Sequence, residues 1–262
     1  MNTLKQRLMR DEPCLGLLVS MPSPHLVRTL ARAGLDWVFI DMEHGPISIE
    51  STHGMIGATA GTDCTPIVRV PTTETWVAKA ALDAGAFGLV FPMVNDRADA
   101  EASARAIRYP PAGQRGVGPL HASLRWGLEM PDYIARANDE ILNIVQIEHK
   151  DAVANIDDIL AVEGIDVAFI APFDLSMSLG IPGQVDHPDQ RAAVARAEEK
   201  ILESGLILGG LALSIEAAND MIARGYRLLL IGVDIGLIGG AVTAALGAIK
   251  RRRHFRPAKG AC

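Results

Sequence analysis

The sequence predicts an α/β chain folded as a (β/α)8 TIM barrel, and three observations carry that prediction. Short β-rich runs alternate with helix-like segments eight times along the 262 residues. Most runs are continuously apolar rather than alternating, as parallel strands covered on both faces require. No Pro/Ser-rich linker divides the chain, so one domain is expected over 1–262, with its core at about 14–250 and a flexible tail at about 251–262. Alternation does not prove closure, and a doubly wound open sheet stays open as the other arrangement.

The strand runs are CLGLLVS (14–20), WVFIDM (37–42), TPIVRV (65–70), GLVFPMV (88–94), ILNIVQIE (141–148), VAFIAP (167–172), LILGGLAL (206–213) and LLLIGVD (228–234). Helical periodicity appears between them in PHLVRTLARAG, TWVAKAALDAG, ADAEASARAIR, AVANIDDILAV, QRAAVARAEEKILES and IEAANDMIARG. Gly34, Gly85, Gly205 and Gly225 follow such segments as left-handed terminators. The segment 108–127 reads as a long irregular loop, a lid or interface arm, followed by a short helical stretch, MPDYIARAND. Leu228 to Ile249 imitates a membrane span. Asp234 inside it favours a strand, a turn at Gly232-Val233-Asp234 and an apolar helix over 235–249.

Composition narrows the function classes. Hydrophobic residues make up 49% and charged residues 21%, which excludes a disordered or fibrous chain. A net charge of −6 argues against nucleic acid or an anionic membrane as partner. Cys14, Cys64 and Cys262 are scattered, so a disulfide framework or thiolate zinc site is not expected and a reducing compartment is. The charged N-terminus has no apolar stretch of the signal-peptide kind, and the expected location is cytoplasmic.

Polar residues gather at the strand ends that face a barrel's active site. The second strand ends in Asp41-Met42-Glu43-His44, the third in Arg69 and the fifth in Gln146-Ile147-Glu148-His149. The sixth runs into Phe173-Asp174. Glu148 and Asp174 close adjacent strands, and neighbouring carboxylates repel unless one is protonated or a cation lies between them. A hard or borderline ion, Mg²⁺, Mn²⁺ or Co²⁺, suits an oxygen site; a glycosidase-like acid/base pair is the alternative. His44, aimed by the Gly-Pro that follows it, is a candidate general base or a structural histidine. His149 should point away from the site. Arg69 sits in an otherwise apolar strand and needs an anion, either a carboxylate or a developing oxyanion. No lysine lies within a strand, so a Schiff-base mechanism has no candidate. Gly209-Gly210 and Gly232 lie where barrels often bind phosphate, but read better as close-packing glycines.

The motifs DMEHGP (41–46), PIVRVP (66–71), LDAGAFGLVFPMV (82–94), RYPPAGQRGVG (108–118), QIEHKDAVANI (146–156), APFDLSMSLG (171–180) and IGVD (231–234) resemble, in order, the HpcH/HpaI aldolase family. The resemblance runs over about residues 14–250. It implies a metal-dependent class II aldolase on a (β/α)8 barrel, adding pyruvate or hydroxypyruvate to an aldehyde to give 4-hydroxy-2-oxo acids. It also implies a homohexamer, with no organic cofactor. By resemblance, Glu148 and Asp174 are metal ligands, His44 the catalytic base and Arg69 the stabiliser of the enolate. Asp83 raises the histidine's basicity, and Gln146, Phe173 and Asp174 hold the keto acid. Ala171-Pro172-Phe173 stands where Gly-Pro-Ala is more usual, and Thr72-Thr73 where a Trp-Asn pair is frequent, which bears on the acceptor. Asp83 ends a helix that descends away from the mouth. If it serves His44, it must come from a neighbouring protomer, with the apolar helix 235–249 supplying interface. A CoA-thioester lyase of the citrate-lyase β-subunit type and a non-catalytic keto-acid-binding barrel are the competing expectations.

Overall fold

Eight apolar runs become eight parallel strands that close on themselves. The computed structural model describes residues 2–249, and the expected tail at 251–262 lies outside the described residues. The strands are β1 (Cys14–Val19), β2 (Trp37–Asp41), β3 (Thr65–Arg69), β4 (Gly88–Phe91), β5 (Leu142–Ile147), β6 (Val167–Ile170), β7 (Ile207–Leu211) and β8 (Leu228–Val233). Each lies inside its expected run, trimmed by up to three residues at an end. They pair in chain order and β8 returns to β1, so the sheet is a closed barrel rather than an open one. From β2 to β6 every strand residue is buried, the physical reason those runs read as continuously apolar.

The helices are α1 (Thr3–Met9), α2 (Pro24–Arg32), α3 (Ile49–Ala58), α4 (Thr75–Asp83), α5 (Arg97–Ala106), α6 (Leu120–Trp126), α7 (Met130–Glu140), α8 (Lys150–Ala154), α9 (Ile156–Leu160), α10 (Pro172–Ser178), α11 (Pro188–Ser204), α12 (Ile215–Ala223) and α13 (Asp234–Ala248). Several depart from the sequence reading, and α1 and α10 have no counterpart in it. IESTHGMIGA has a weak apolar stripe, yet forms α3 because Ser48 caps it and Met55 and Ile56 are fully buried. AVANIDDILAV breaks at Asn155 into α8 and α9; the Asn155 amide is pulled onto the Asn95 carbonyl oxygen at 3.0 Å. The 108–127 segment is not wholly irregular. It ends in α6, which Arg125 ties to α3 through the Ile56 carbonyl (3.4 Å) and Thr59 Oγ1 (2.6 Å). Nor is there a separate turn at 232–234: β8 runs to Val233 and α13 starts at Asp234.

The core has two layers. Trp37, Phe39, Ile67, Val90, Ile144, Phe169 and Leu228 fill the barrel, and Leu4 and Leu8 of α1 join them at the N-terminal end. A Cβ at Gly16 would lie 2.4 Å from the Trp37 ring, so glycine there makes room for the largest core side chain. The second layer packs the outer strand faces against the helix ring. No helix among the described residues is long and apolar enough to cross a membrane.

Candidate active site

The C-terminal strand ends build one continuous polar network under a cleft of about 130 Å³. Asp41 and Arg69 end neighbouring strands in direct register. The Arg69 Nε and Nη2 donate to Asp41 Oδ1 (2.9 Å) and Oδ2 (2.7 Å), a bidentate pair that is almost fully buried. Arg69 Nη1 donates to Gln146 Oε1 at 3.3 Å and lies 3.0 Å from Glu43 Oε2, a charge contact without hydrogen-bond alignment. Its guanidinium also stands over the Phe39 ring, 5.2 Å from the centroid. Burial would lower the Arg69 pKa, but Asp41 and Glu43 outweigh it and hold it above its ordinary value. The anion that an arginine in VRVP required is therefore a carboxylate pair.

The network continues to Glu148. Gln146 Nε2 donates to Glu148 Oε2 at 3.0 Å, and the Met93 N–H donates to Glu148 Oε1 at 2.6 Å. Met93 delivers that N–H from a left-handed backbone (φ 53°), costing on the order of 1 kcal/mol for a residue other than glycine. Burial pushes the Glu148 carboxyl up to about 7. The Met93 N–H opposes the shift, and the Asp174 and Glu43 carboxylates add to it. Burial likewise raises Glu43, despite the nearby Arg69. Asp174 is half-buried in the first turn of α10, where the helix dipole favours a carboxylate.

His44 sits on the turn after β2. Its backbone N–H donates to Asp41 Oδ1 at 3.2 Å, while its side chain is 64% exposed and lines the cleft. Gly45 is required beneath it, because a Cβ there would lie 2.5 Å from the Asp41 carbonyl oxygen. Phe173, 44% exposed, forms part of the rim with Ala171 and Pro172. His149 points away, its Nδ1 accepting from the Asp151 N–H at the start of α8.

Arg69, Gln146, Glu148, Asp174, His44 and Phe173 thus come together, and Asp83 does not join them. Asp83 is the last residue of α4, at the barrel's N-terminal end, and Arg115 Nη2 donates to its Oδ1 at 2.7 Å. Arg115 is itself buried between Tyr109 and Tyr133, with ring centroids 4.6 and 5.5 Å away. Asp41, Glu43, Met93 and Arg115 are the members of these networks to which the sequence reading gave no role. Among the described residues Lys5, Lys79, Lys150 and Lys200 all lie in helices. Lys250 and Lys259 lie outside the described residues.

The oxygen donors at the mouth are of the kind a divalent cation takes. Glu148, Asp174 and Glu43 crowd one mouth with a single guanidinium, and hard ions prefer such oxygens. Among the described residues no group of three His, Cys, Asp or Glu is arranged to hold a metal ion.

Comparison with known proteins agrees with this geometry. The family model for HpcH/HpaI aldolase/citrate lyase matches residues 15–240. The 2-keto-3-deoxy-L-rhamnonate aldolase of Shigella sonnei (strain Ss046) is 36% identical over 260 residues, covering 99% of this chain and 97% of that one. A hydroxypyruvate/pyruvate aldolase of Pseudomonas aeruginosa is 36% identical over 250 residues, covering 95% and 93%. The crystal structure of an HpcH/HpaI aldolase/citrate lyase family protein from Burkholderia cenocepacia J2315 superposes with a TM-score of 0.90 at 36% identity, over 96% of this chain and 100% of the other. An eight-stranded barrel, its polar strand ends and a match over almost the whole chain lead to one assignment: the chain belongs to the HpcH/HpaI aldolase/citrate lyase family.

Proposed function

We propose that this chain catalyses the reversible aldol addition of pyruvate, or hydroxypyruvate, to an aldehyde, giving 4-hydroxy-2-oxo acids. Its family makes it a carbon–carbon lyase of the aldolase type. The observation that carries the reading is the Asp41–Arg69–Gln146–Glu148 network opening into a cleft that His44 and Asp174 also line. Glu148 and Asp174 would hold the divalent ion, with Mg²⁺, Mn²⁺ and Co²⁺ as candidates. When bound, it supplies Lewis acidity toward the keto acid's carbonyl.

The chain's own groups divide the remaining work. His44 accepts the C3 proton of the keto acid and returns one in the reverse direction. Arg69 has five N–H groups, of which Asp41 and Gln146 engage three by hydrogen bonds, while Glu43 faces Nη1 as a charge contact. The remaining Nη2 hydrogen stabilises the oxygen that gains charge as the enolate forms. Asp41 prevents that guanidinium from turning, and Gln146 fixes Arg69 relative to Glu148. Phe173 closes the rim and excludes water.

The active unit in this reading is a homo-oligomer, a hexamer by family resemblance, in which Asp83 of one protomer serves His44 of another. The exposed apolar helix α13 and the opposite-end placement of Asp83 support it. A cytoplasmic setting belongs to the same reading, supported by the free buried thiols Cys14 and Cys64. Glu148→Ala or Asp174→Ala should abolish aldol cleavage while the barrel still folds, and borohydride with pyruvate should trap no adduct. Full activity of either variant in chelator contradicts the metal assignment, and a trapped lysine contradicts the class II chemistry.

A further inference from the structure

After α5 the chain folds back on the end of that helix and buries one guanidinium. The Gln114 N–H donates to the Arg105 carbonyl oxygen (2.9 Å), and the Arg115 N–H donates to that of Arg108 (2.9 Å). Glycine is required at 113, where a Cβ would lie 2.4 Å from the Arg108 carbonyl oxygen. Asn138 of α7 clamps Tyr109 through both its amide atoms. Its Oδ1 accepts from the Tyr109 N–H at 2.7 Å, and its Nδ2 donates to the Tyr109 carbonyl oxygen at 3.2 Å. Arg115 therefore enters with its backbone fixed and its side chain fully buried between the rings of Tyr109 and Tyr133.

Packing alone does not account for a charge in that position. Arg115 Nη2 donates to Asp83 Oδ1 (2.7 Å) and to the Tyr133 hydroxyl (3.1 Å). Its Nε and Nη1 are buried with no hydrogen-bond partner among the described residues, and so is the Tyr109 hydroxyl. Buried donors left unpaired cost stability, and an apolar side chain between two tyrosines would pack without that cost. The one strong contact the guanidinium does make is the one to Asp83.

Asp83 is left with one oxygen to offer. Oδ1 is taken by Arg115, whereas Oδ2 accepts no hydrogen bond from the described residues and lies beside Gly118, where an added Cβ would be 3.3 Å from it. Val117 and Leu120, on either side of Gly118, are apolar and exposed, a surface that suits contact with a second copy of the chain. We propose that Arg115 is a positioning residue, which locks the Asp83 carboxylate so that Oδ2 meets His44 of a neighbouring protomer. This role rests on the reading that Asp83 serves His44 across the interface, and it adds the group that makes the carboxylate rigid. An unheld aspartate at a helix end samples several rotamers, and a contact that must be made across an interface loses rate steeply when it is misplaced.

Exchange of pyruvate C3 protons in D2O, with kcat and KM read from its dependence on pyruvate, tests this in the assembled protein. Arg115→Met should lower kcat about tenfold or more while the KM for pyruvate changes less than about twofold. Arg115→Lys keeps a donor for Oδ1 and should recover part of the loss. Asp83→Asn should lower kcat at least as far, and adding Arg115→Met to it should lower kcat no further. Gly118→Ala keeps Arg115 but crowds Oδ2, so it should also lower kcat, and it should add nothing in the Asp83→Asn background. That variant carries the test if Arg115→Met does not assemble. Unchanged kcat in Arg115→Met, or losses that multiply in the double variants, overturn the role of Arg115 alone. Full activity of Asp83→Asn, or no exchange by the unaltered protein with any divalent ion, overturns the reading beneath it as well.

Discussion

Arg69 arrives at the cleft already held by oxygens from three residues, so its contribution is an orientation as much as a charge. Arg69→Ala should lower kcat by about 10²-fold or more while the KM for keto acid changes little. A change confined to KM would make Arg69 a substrate anchor. Asp41→Asn should lower kcat in the same direction, and the double variant should be no worse than Arg69→Ala alone, because Asp41 acts through Arg69. The need for an anion at Arg69 was legible from a charged residue in an apolar strand, but its identity was not. It follows from the β2–β3 register, which sets Asp41 opposite Arg69. Met93 was illegible for a different reason: a backbone N–H in a left-handed conformation leaves no trace in residue type. Glu148 supplies a pH dependence. Its pKa is raised from 4.5 to about 7 on folding, so the metal-free folded state binds more protons than the unfolded chain between those values. Stability of the chelated protein should therefore fall as pH rises from about 4.5 through about 7, and Glu148→Gln should flatten the slope. Urea midpoints across that range check the sign.

Asp234 shows how an element's terminus holds the site together. Its buried carboxylate opens α13 and accepts from the Ser20 N–H (3.0 Å), Ser20 Oγ (2.8 Å), the Met21 N–H (3.0 Å) and the Ile235 N–H (2.8 Å). One side chain thus fixes the β1–α2 loop to the β8–α13 junction beside Leu18 and Leu230. Asp234→Ala strands those donors and should cost on the order of 3 kcal/mol, read as a lowered urea midpoint. An unchanged midpoint would show that water replaces the carboxylate. In the sequence Asp234 argued against a membrane span and closed the IGVD motif; its partners Ser20 and Met21 lie more than 200 residues away, beyond any local pattern. Helix α6 escaped for the same kind of reason. LHASLRW has little periodicity of its own, and Arg125 holds it against α3 through contacts made only after folding.

At the scale of the whole molecule the eightfold alternation made the barrel legible, because a fully covered parallel sheet forces apolar runs onto every strand. The assembly is less legible: the apolar run 235–249 reads as interface, but no pattern marks which surface of a second protomer it meets. The structure adds two constraints: Asp83 lies at the end opposite His44, and α13 exposes Ile235 (59%) and Val242 (52%) to solvent in the single chain. Mixing inactive His44→Ala subunits with inactive Asp83→Ala subunits, under conditions that exchange protomers, should restore partial activity through hybrid sites. An active monomer, or full activity of Asp83→Ala alone, contradicts the shared site. The central claim, that these strand ends form a keto-acid enolisation site, is tested most directly by proton exchange at pyruvate C3 in D2O, followed by NMR without any aldehyde. The account predicts exchange that requires a divalent ion and disappears in Glu148→Ala. Exchange that persists in chelator, or none with any divalent ion, would contradict it.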